Sequence, residues 1–560
     1  MSDGYGQEFL PAVIARRARE TPHRVFLSVA RSANMKDGFD DLSYGRFAQA
    51  VDRCAFWLEK TVGKHEETTV PKVIFASLPR HDLRAVLLIL AAPKTGHQMY
   101  WSQPFGETDY MVKALAGMDC DTFLKPSPCP EVVEDVLRQR PLRTFGLPHL
   151  DAWLSPHYDP DAEVYPYTLP ADNTEAASQP MMVFQTSGTT ADPKPIVVRL
   201  GSASKIDTYH KLPQLGQQPW LFAHLTGQRV LSTFGWYQYA GFSFHITGAV
   251  YYDYVIVIAP EIHDWSAESI EAAIHYGNVQ SCFLYPAACV EFCLEENKHR
   301  LPALRQLNLI VYGGSSIPFW VGNMLNQYTQ VGQIIGSTEA AIFPQEIPRE
   351  QEEWPYLRLQ SQSGVEFRPY LDNYYHMVVV RQKDLEDWQG AFVNFPELDE
   401  FLTGDLFERH PTDPDLWLSS GRIADLFTLQ DGRVFNPVPI EVDIAENPAL
   451  ILAMICGLSS TGKLVILLTP RTPLAEGESP SEFVDRVWPS VERSFLTKGP
   501  KWIMSFLDRD FISATPQGLP IQRTGAKWNV NRKKTLALHR ATLEKQFGEL
   551  TLTCRAVTPS

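Results

Sequence analysis

The chain has 560 residues, of which 44% are hydrophobic and 21% are charged, so a disordered or collagen-like protein is excluded. Its 50 Lys and Arg against 65 Asp and Glu give a net charge of −15, which does not favour a nucleic-acid-binding or anionic-membrane-binding surface. At roughly 150 residues per domain, the length predicts three to four structural units, arranged as one large lobe and a smaller one.

The N-terminal segment predicts an amphipathic helix and no secretory signal, because it lacks an apolar core followed by small residues. The longest apolar stretch, Ala85 to Pro93, is shorter than the roughly 20 residues that span a bilayer. The eight cysteines are scattered and contain no CxxC pair, so neither structural zinc nor a disulfide framework is expected. We therefore expect a cytoplasmic protein.

Helical and strand patterns alternate through the first 150 residues. Apolar spacing predicts a helix over Tyr44–Glu59, a buried strand over Lys72–Leu78 and a helix over Asp82–Ala92. Further strands are predicted at Met181–Gln185, Ile196–Leu200, Tyr254–Ile258, Ser281–Tyr285, Leu307–Tyr312 and Gly332–Ile335. This alternation indicates a layered α/β lobe. After about residue 360 the pattern changes to β-hairpins with short turns, such as Asp431-Gly432, and a smaller unit is expected from about 425 to 545.

A glycine-rich segment at residues 457–464 comes close to the phosphate-binding Walker A pattern. It has Leu464 where that pattern needs a Ser or Thr hydroxyl for magnesium, and Leu464–Leu468 reads as a strand where a helix should begin. We therefore interpret this segment as a hairpin turn between two strands.

A second glycine loop is the stronger candidate for a phosphate site. It follows the predicted strand Met181–Gln185 and supplies four hydroxyls, a glycine and a lysine, at Thr186, Ser187, Gly188, Thr189, Thr190 and Lys194. Backbone N–H groups in such a turn can surround phosphate oxygens, to which the hydroxyls add donors and the lysine adds positive charge. On composition alone, a polar hairpin would explain the same residues.

Three later motifs favour the functional interpretation: Gly336-Ser337-Thr338-Glu339, Thr403-Gly404-Asp405 and Gly421-Arg422-Ile423-Ala424-Asp425. In this order and at these intervals they resemble the core motifs of the adenylate-forming superfamily, over residues 10 to 545. The adenylation domain of fungal peptide-synthetase-like carboxylate reductases contains segments similar to Val311–Gly314, Phe395–Glu400 and Asn436-Pro-Val.

The resemblance implies a mixed α/β fold with a large adenylation lobe of layered α/β subdomains and a β-rich subdomain at residues 1–423. It also implies a small, mobile α+β domain at 424–545, followed by a tail at 546–560, with Ala424 and Asp425 as the hinge.

The implied reaction is attack of a carboxylate on the α-phosphorus of ATP, giving acyl-AMP and pyrophosphate. Residues Thr186 to Thr190 and Lys194 would hold the β- and γ-phosphates, and Gly336 and Ser337 would also belong to the ATP-binding residues. Thr338 would contact the α-phosphate, Glu339 would bind Mg²⁺, and Asp405 and Arg422 would bind the ribose or phosphate.

The family also requires a lysine from the small domain. The segment Arg523-Thr-Gly-Ala-Lys527 matches the family pattern best and makes Lys527 the expected catalytic lysine, although Trp528 stands where glycine is usual. A surface cation beside Arg532, Lys533 and Lys534 is the alternative interpretation. The segment Gly518–Arg523 matches less well, because Leu519 occupies the lysine position.

Other departures concern the substrate pocket and the hinge. Ile335 replaces the tyrosine that often packs on adenine, and Ala424 replaces the first hinge aspartate. The expected pocket comprises Trp236, Tyr237, Gln238, Tyr239, Gly241, Gly313, Gly314 and Ile335. It offers no aspartate for an α-ammonium group, so we expect an aryl or bulky apolar acid that lacks an α-amino group. Core packing of these aromatics is the competing explanation.

Neither a phosphopantetheine-serine motif nor a GxxGxxG dinucleotide turn occurs, although carboxylate reductases of this type carry both. A free-standing ligase and a piece of a longer protein both remain open. The expected acyl acceptor is a thiol, such as a carrier-protein phosphopantetheine. Amide or ester formation, transfer to CoA, and a nucleotide-binding homologue without catalysis are the alternatives.

Overall fold

The computed structural model describes residues 4–6, 8–65, 71–101, 108–186, 194–260, 265–429, 431–523 and 529–550. Its α-helices are α1 (Leu10–Glu20), α2 (Tyr44–Thr61), α3 (Leu83–Ala91), α4 (Thr108–Gly117), α5 (Glu131–Gln139), α6 (Asn173–Ser178), α7 (Leu200–Thr208), α8 (Tyr239–Phe242), α9 (Gly248–Tyr252), α10 (Ala267–Tyr276), α11 (Pro286–Cys293), α12 (Phe319–Leu325), α13 (Ala391–Asn394), α14 (Val438–Ile444), α15 (Pro480–Lys498) and α16 (Arg532–Phe547).

The strands are β1 (Val25–Ala30), β2 (Phe39–Ser43), β3 (Lys72–Ala76), β4 (His97–Trp101), β5 (Thr122–Lys125), β6 (Arg143–Gly146), β7 (Pro180–Gln185), β8 (Pro195–Arg199), β9 (Arg229–Ser232), β10 (Val255–Ile258), β11 (Ser281–Leu284), β12 (Leu309–Gly313), β13 (Gln330–Ile334), β14 (Gly336–Ser337), β15 (Ala341–Ile342), β16 (Tyr356–Leu357), β17 (Val365–Leu371), β18 (Tyr374–Val380), β19 (Glu400–Arg409), β20 (Trp417–Arg422), β21 (Phe427–Thr428), β22 (Val434–Phe435), β23 (Leu450–Leu458), β24 (Leu464–Pro470) and β25 (Ile512–Ala514).

Two large, mostly parallel sheets form the first lobe. One has the order β13-β12-β11-β9-β10-β1-β2, with β2 antiparallel to β1. The other has the order β6-β5-β3-β4-β7-β8, with β8 antiparallel to β7. Their strands are continuous apolar runs, such as the buried segment Met181–Phe184, because parallel sheets are covered on both faces.

One apolar core joins both sheets and the helices between them. It includes Phe26 of β1, Phe47 of α2, Val86 of α3, Met182 of β7 and Val250 of α9. Every residue of helix α3 except Arg84 is buried, as expected for a helix that is apolar on almost all sides. This arrangement confirms the predicted layered α/β lobe.

A β-rich part follows, built on an antiparallel sheet of order β16-β20-β19-β18-β17. After the short 3₁₀ turn Ile423–Asp425, the chain forms a three-stranded sheet, β23-β24-β25, with helices α14 to α16. This last part has its own apolar core, which includes Ile466, Phe483 and Val487. The mixed α/β fold with a smaller α+β unit is therefore confirmed.

The Walker-like segment is a hairpin turn, as predicted. It connects the antiparallel strands β23 and β24, and the backbone N–H of Ser459 donates to the carbonyl of Lys463 at 2.8 Å. The Lys463 ammonium donates to the carbonyl of Ser505 at 3.0 Å, so it is directed to the backbone of a neighbouring turn. Among the helices that the structure describes, none is long and apolar enough to cross a membrane.

Candidate active site

The two ends of the predicted phosphate loop are joined by the β7–β8 hairpin. Thr186 donates its backbone N–H to the carbonyl of Lys194 at 2.9 Å, and its hydroxyl accepts the N–H of Lys194 at 2.8 Å. Ser187, Gly188, Thr189 and Thr190 lie outside the described residues. Lys194 is exposed, so its ammonium is accessible to an anion at the end of the hairpin.

The Gly336-Ser337-Thr338-Glu339 motif forms a tight hairpin. Strands β14 and β15 pair directly after β13, and the Ser337 hydroxyl accepts the N–H of Ala340 at 3.0 Å. A Cβ on Gly336 would lie 2.6 Å from the carbonyl oxygen of Ala341, so this position requires glycine. Thr338 and Glu339 are consequently presented at the tip of the turn, half-buried.

Asp405 and Arg422 face each other on neighbouring strands. The register of β19 and β20 pairs the two residues, and Arg422 Nε donates to Asp405 Oδ1 at 2.8 Å. Arg422 Nη2 also donates to the carbonyl of Thr403 at 3.0 Å, and the Asp405 N–H donates to the Thr403 hydroxyl at 3.1 Å. The motif around Gly404 is thus held by a closed set of hydrogen bonds.

The electrostatics connect this pair with the Gly336–Glu339 turn. The carboxylate of Asp405 raises the pKa of the Arg422 guanidinium, and Asp425 and Glu339 contribute smaller effects in the same direction. Glu339 therefore lies within electrostatic reach of Arg422. The structure brings the Gly336–Glu339 motif to the same site as the Thr403–Asp405 motif, which begins 64 residues after Glu339 (403 − 339).

His376 lies beside this pair and was not predicted from the sequence. The N–H of Gly404 donates to His376 Nε2 at 3.1 Å, so this nitrogen acts as an acceptor. Burial lowers the pKa of His376, although the charge of Asp405 acts in the opposite direction. A neutral imidazole therefore supports the backbone beside Asp405.

The aromatic segment 236–241 is largely buried. Trp236, Tyr237 and Tyr239 are 1%, 8% and 5% exposed, and helix α8 contacts β14 of the Glu339 turn. Tyr239 also packs edge-on against Phe184 of β7, with ring centroids 5.7 Å apart. The segment thus lies between the strand that leads to the phosphate loop and the Glu339 turn, although much of its surface fills the core.

Polar groups accompany these aromatics. Tyr285 donates to the side-chain oxygen of Gln238, and Arg80 hydrogen-bonds Tyr237. Trp236 Nε1 and His81 Nε2 are buried and have no hydrogen-bond partner among the described residues. No sequence pattern predicted a place near this segment for Arg80, His81 and Tyr285, because all three lie far from it along the chain.

The remaining predicted pocket residues lie at the ends of two neighbouring strands. Gly313 ends β12 and is buried, and its Cβ position is 2.7 Å from Ile334 Cγ2, so a side chain there would clash with β13. Gly314 is exposed with a φ of 87°, which favours glycine. Ile335 follows β13 and is half-buried beneath the Glu339 turn, with its N–H bound to Gln345 at 3.0 Å.

The predicted hinge residues lie in the turn between the β-rich part and the small unit. Ala424 is exposed, whereas Asp425 Oδ2 accepts the N–H of Arg422 at 3.2 Å and Asp425 Oδ1 lies 3.9 Å from Arg532 Nε. Arg532 in turn forms a two-pronged ion pair with the buried Glu441. The single hinge aspartate is therefore connected to both sides of the turn.

Lys527 and Trp528 lie outside the described residues. Arg523 and Val530, which flank them, form an antiparallel bridge, and helix α16 begins at Arg532 with Asn531 as its N-cap. The described residues on the two sides of the lysine segment are therefore adjacent.

The residues at the site fit ATP with Mg²⁺. Glu339 is half-buried, and no side chain that the structure describes donates a hydrogen bond to its carboxylate, so its oxygens are available. Mg²⁺ is commonly bound by one or two carboxylates together with substrate phosphates. The described residues contain no cluster of three His, Cys, Asp or Glu that could hold a metal ion. Asp405 Oδ2 is likewise free of described donors and could accept from a ribose hydroxyl.

Two family profiles together match most of the chain. The family profile described as AMP-binding enzyme matches residues 14–361, and the profile of the AMP-binding enzyme C-terminal domain matches residues 424–550. A carboxylic acid reductase of Neurospora crassa is 26% identical over 555 residues, which cover 97% of this chain and 51% of the relative. The isocyanide synthase-NRPS hybrid crmA of Aspergillus fumigatus is 28% identical over 551 residues, covering 97% of this chain and 34% of the relative. The chain thus spans about half or less of these curated relatives.

A solved structure has the same fold. The anthranilate CoA ligase AuaEII, in complex with anthranoyl-AMP, matches with a TM-score of 0.70 over 96% of this chain and 98% of that chain. The sequence identity is 12%, so this likeness shows the fold alone.

Proposed function

The chain belongs to the AMP-binding enzyme family, and from that premise we propose that it activates a carboxylic acid without an α-amino group and passes the acyl group to a thiol. As an adenylate-forming enzyme it couples an acid to the AMP part of ATP. The proposal concerns the kind of acid, the acceptor and the residues that act. An aryl or bulky apolar acid and a carrier-protein phosphopantetheine are the proposed partners.

In the first step a carboxylate oxygen forms a bond to the α-phosphorus of ATP. The bond from that phosphorus to the oxygen bridging the β-phosphorus breaks, and pyrophosphate leaves with the electron pair. In the second step a thiolate attacks the acyl carbon, and AMP leaves with the carboxylate oxygen that it received. Two anions must meet in the first step, so the catalyst has to reduce their repulsion and align them.

The described residues suit this task. Lys194 would attract the β- and γ-phosphates at the end of the β7–β8 hairpin, where it is exposed. Thr338 would donate to an α-phosphate oxygen, and Asp405 would accept from the ribose diol while Arg422 holds its other oxygen. A Mg²⁺ ion held by Glu339 would offset the phosphate charge. Lys527 is proposed to contact the α-phosphate and the substrate carboxylate during adenylation.

The single observation that carries this proposal is the convergence at Arg422. Its guanidinium donates a hydrogen bond to Asp405, and the negative charge of Glu339 contributes to raising its pKa. The proposed ribose-binding group, Asp405, and the proposed metal-binding group, Glu339, would therefore bind one nucleotide. A nucleotide-binding homologue without catalysis would not need Glu339, whose carboxylate carries no described hydrogen bond.

Segment 236–241 supports the choice of acid. None of the residues of this segment is acidic, and its described polar contacts include the bond of Arg80 to Tyr237 and that of Tyr285 to Gln238. An α-ammonium group placed there would find no carboxylate within the segment itself and would be costly to desolvate. We therefore propose that α-amino acids are poor substrates.

ATP–pyrophosphate exchange with a panel of aryl, alkyl and amino acids tests the proposal. We expect exchange with at least one acid that lacks an α-amino group. Lys527→Ala should strongly lower this exchange and leave acyl transfer from preformed acyl-AMP largely intact, whereas Lys498→Ala, at an exposed position of α15, should change neither. Absence of exchange with every acid would contradict the activation step, and the best exchange with an α-amino acid would contradict the pocket assignment.

The acceptor needs its own assay. Discharge of the acyl-adenylate onto a phosphopantetheinylated carrier protein, CoA and simple amines would be compared. Fastest discharge onto the carrier supports the proposal, whereas fastest discharge onto CoA or an amine would assign an acyl-CoA or amide-forming ligase instead.

A further inference from the structure

Asn394 connects two predicted parts of the nucleotide site. It is the last residue of α13 and is 7% exposed. Its Oδ1 accepts the backbone N–H of Arg199 at 3.0 Å, and its Nδ2 donates to the backbone carbonyl of Glu339 at 2.9 Å. One side-chain amide thus uses both of its ends to bind backbone segments that are distant in sequence.

The two bound segments are those that flank the proposed phosphates. Arg199 ends β8, the strand that begins next to Lys194, and Glu339 lies at the tip of the β14–β15 turn. Because the peptide carbonyl of Glu339 is fixed, the direction in which its Cα–Cβ bond points is fixed with it. The same amide therefore sets where the Glu339 carboxylate lies relative to the phosphate hairpin.

Close packing makes this connection rigid. A Cβ on Gly390, just before α13, would lie 3.0 Å from Ala341 Cβ and 3.0 Å from Ser202 Oγ, so the helix approaches the turn through a glycine. On the returning strand, the hydroxyl of Tyr209 donates to the carbonyl of Ile342 at 3.0 Å. Asn394 thus holds the tip of the turn to the end of β8, and Tyr209, directly after α7, holds the returning strand.

We propose that Asn394 is a positioning residue that orients the Glu339 carboxylate for Mg²⁺-bound ATP. This inference rests on the proposed function, because it assigns Glu339 to the metal. Residues that orient a metal ligand from behind commonly change metal affinity or activity by about 10- to 100-fold when they are substituted. A purely structural role would instead lower stability without changing the metal dependence of nucleotide binding.

Two substitutions separate these roles. Asn394→Asp retains an acceptor for the Arg199 N–H but loses the donor to Glu339 and places a negative charge beside its carbonyl. Asn394→Ala removes both hydrogen bonds and serves as a second variant. Asn326→Ala is the matched control, because Asn326 also binds two backbone segments, the carbonyl of Gln351 at 2.6 Å and the N–H of Val331 at 3.3 Å, outside the site.

The readout is the affinity for ATP by calorimetry, measured with Mg²⁺ and with EDTA. In the wild type we expect Mg²⁺ to tighten binding. In Asn394→Asp this gain should fall about tenfold while the affinity in EDTA stays within about twofold, and the Mg²⁺ concentration for half-maximal pyrophosphate exchange should rise correspondingly. Asn394→Ala should show the same direction, and Asn326→Ala should retain the wild-type gain.

An unchanged Mg²⁺ gain in folded Asn394→Asp and Asn394→Ala, with lowered thermal stability, would overturn the proposal and leave Asn394 a structural residue. If the wild type itself showed no Mg²⁺-dependent ATP binding, the assignment of Glu339 in the proposed function would fail first. The two failures are therefore distinguishable in one experiment.

Discussion

Arg422 Nε lies 2.8 Å from Asp405 Oδ1, and the register of β19 and β20 places the two residues directly opposite each other. Their side chains are 38% and 29% exposed, so water still reaches both. An ion pair of this exposure contributes little to stability, on the order of 1 kcal/mol or less. Its main effect is to fix the direction of the Asp405 carboxylate and leave Oδ2 available.

Substitution of Asp405 should separate ligand binding from stability. We expect Asp405→Asn to lower pyrophosphate exchange by roughly 10- to 100-fold, mainly through a higher KM for ATP, because a neutral amide is a weaker acceptor for a diol. Asp413→Asn is the control, since Asp413 binds Arg358 at 2.8 Å in the same β-rich part. Steady-state kinetics and chemical denaturation of both variants would be compared. Equal losses of activity in the two variants would contradict the assignment of Asp405.

Glu446 attaches the small unit to the large lobe. Its carboxylate accepts the N–H groups of Phe319 and Trp320 at 2.8 and 2.9 Å, at the start of α12. The guanidinium carbon of Arg471 lies 4.0 Å from the Trp320 ring, which adds a cation–π contact. We expect Glu446→Ala to weaken this attachment by about 1 to 3 kcal/mol, because two charge-assisted hydrogen bonds are lost.

Hydrogen–deuterium exchange of a peptide covering α12 measures this effect. Exchange at the Phe319 and Trp320 amides should become faster in Glu446→Ala. Glu482→Ala, which removes an exposed capping carboxylate of α15, should leave the α12 peptide unchanged. Unaltered α12 exchange in Glu446→Ala would show that other contacts hold the two parts together.

The stability of the lobe should depend on pH through His97. Burial, with smaller effects from His65 and Lys72, lowers the pKa of His97 from 6.5 to about 4. The unfolded chain therefore binds a proton below pH 6.5 that the folded chain does not bind until about pH 4, so stability falls as the pH decreases through this window. Between pH 7 and pH 5 this group should account for up to about 2 kcal/mol of lost stability.

The measurement is the free energy of unfolding of wild type and His97→Asn at pH 7, 6 and 5. The variant should be less stable at pH 7, because it loses the bond of His97 to the Thr95 hydroxyl, but it should lose less stability on acidification. Parallel pH profiles of the two proteins would refute the role of His97.

Gly241 permits a close backbone approach in the candidate pocket segment. A Cβ there would overlap the carbonyl oxygen of Gly235, which belongs to the backbone and cannot rotate away. Gly241→Ala should therefore destabilise the protein by about 3 kcal/mol or more. Gly117→Ala is the control, since a Cβ at this exposed end of α4 would contact nothing within 4 Å and should be neutral or slightly stabilising. Thermal denaturation of the two variants should differ clearly, and similar midpoints would contradict this packing.

The sequence predicted the elements and motifs better than their connections. Strands such as Met181–Gln185 and the hairpin at 457–464 were predicted because apolar runs and glycine turns are local signals. Asp405 and Arg422 were predicted from motifs, but their mutual hydrogen bond depends on strand register. Asn394 was missed although it directly precedes the recognised segment Phe395–Glu400, because a side chain that binds only backbone leaves no motif of its own.

The aromatic residues of segment 236–241 were recognised in the sequence, but their role could not be read from it. Trp236 and Tyr239 were predicted to line a pocket, and the structure buries both almost completely. Composition cannot separate a pocket wall from a core, since each uses the same side chains. The polar partners of the segment, Arg80 and Tyr285, come from other elements and become its neighbours only in the folded chain.

The path of the carboxylate oxygen tests adenylate formation by this chain most directly. An acid that supports pyrophosphate exchange would be labelled with ¹⁸O in its carboxylate and incubated with the protein, ATP, Mg²⁺ and an acyl acceptor, and the nucleotide product would be analysed by mass spectrometry. We predict AMP that carries one ¹⁸O atom, because the oxygen that attacks the α-phosphorus stays with AMP. Unlabelled AMP, or ADP with labelled phosphate, would contradict adenylate formation by this chain.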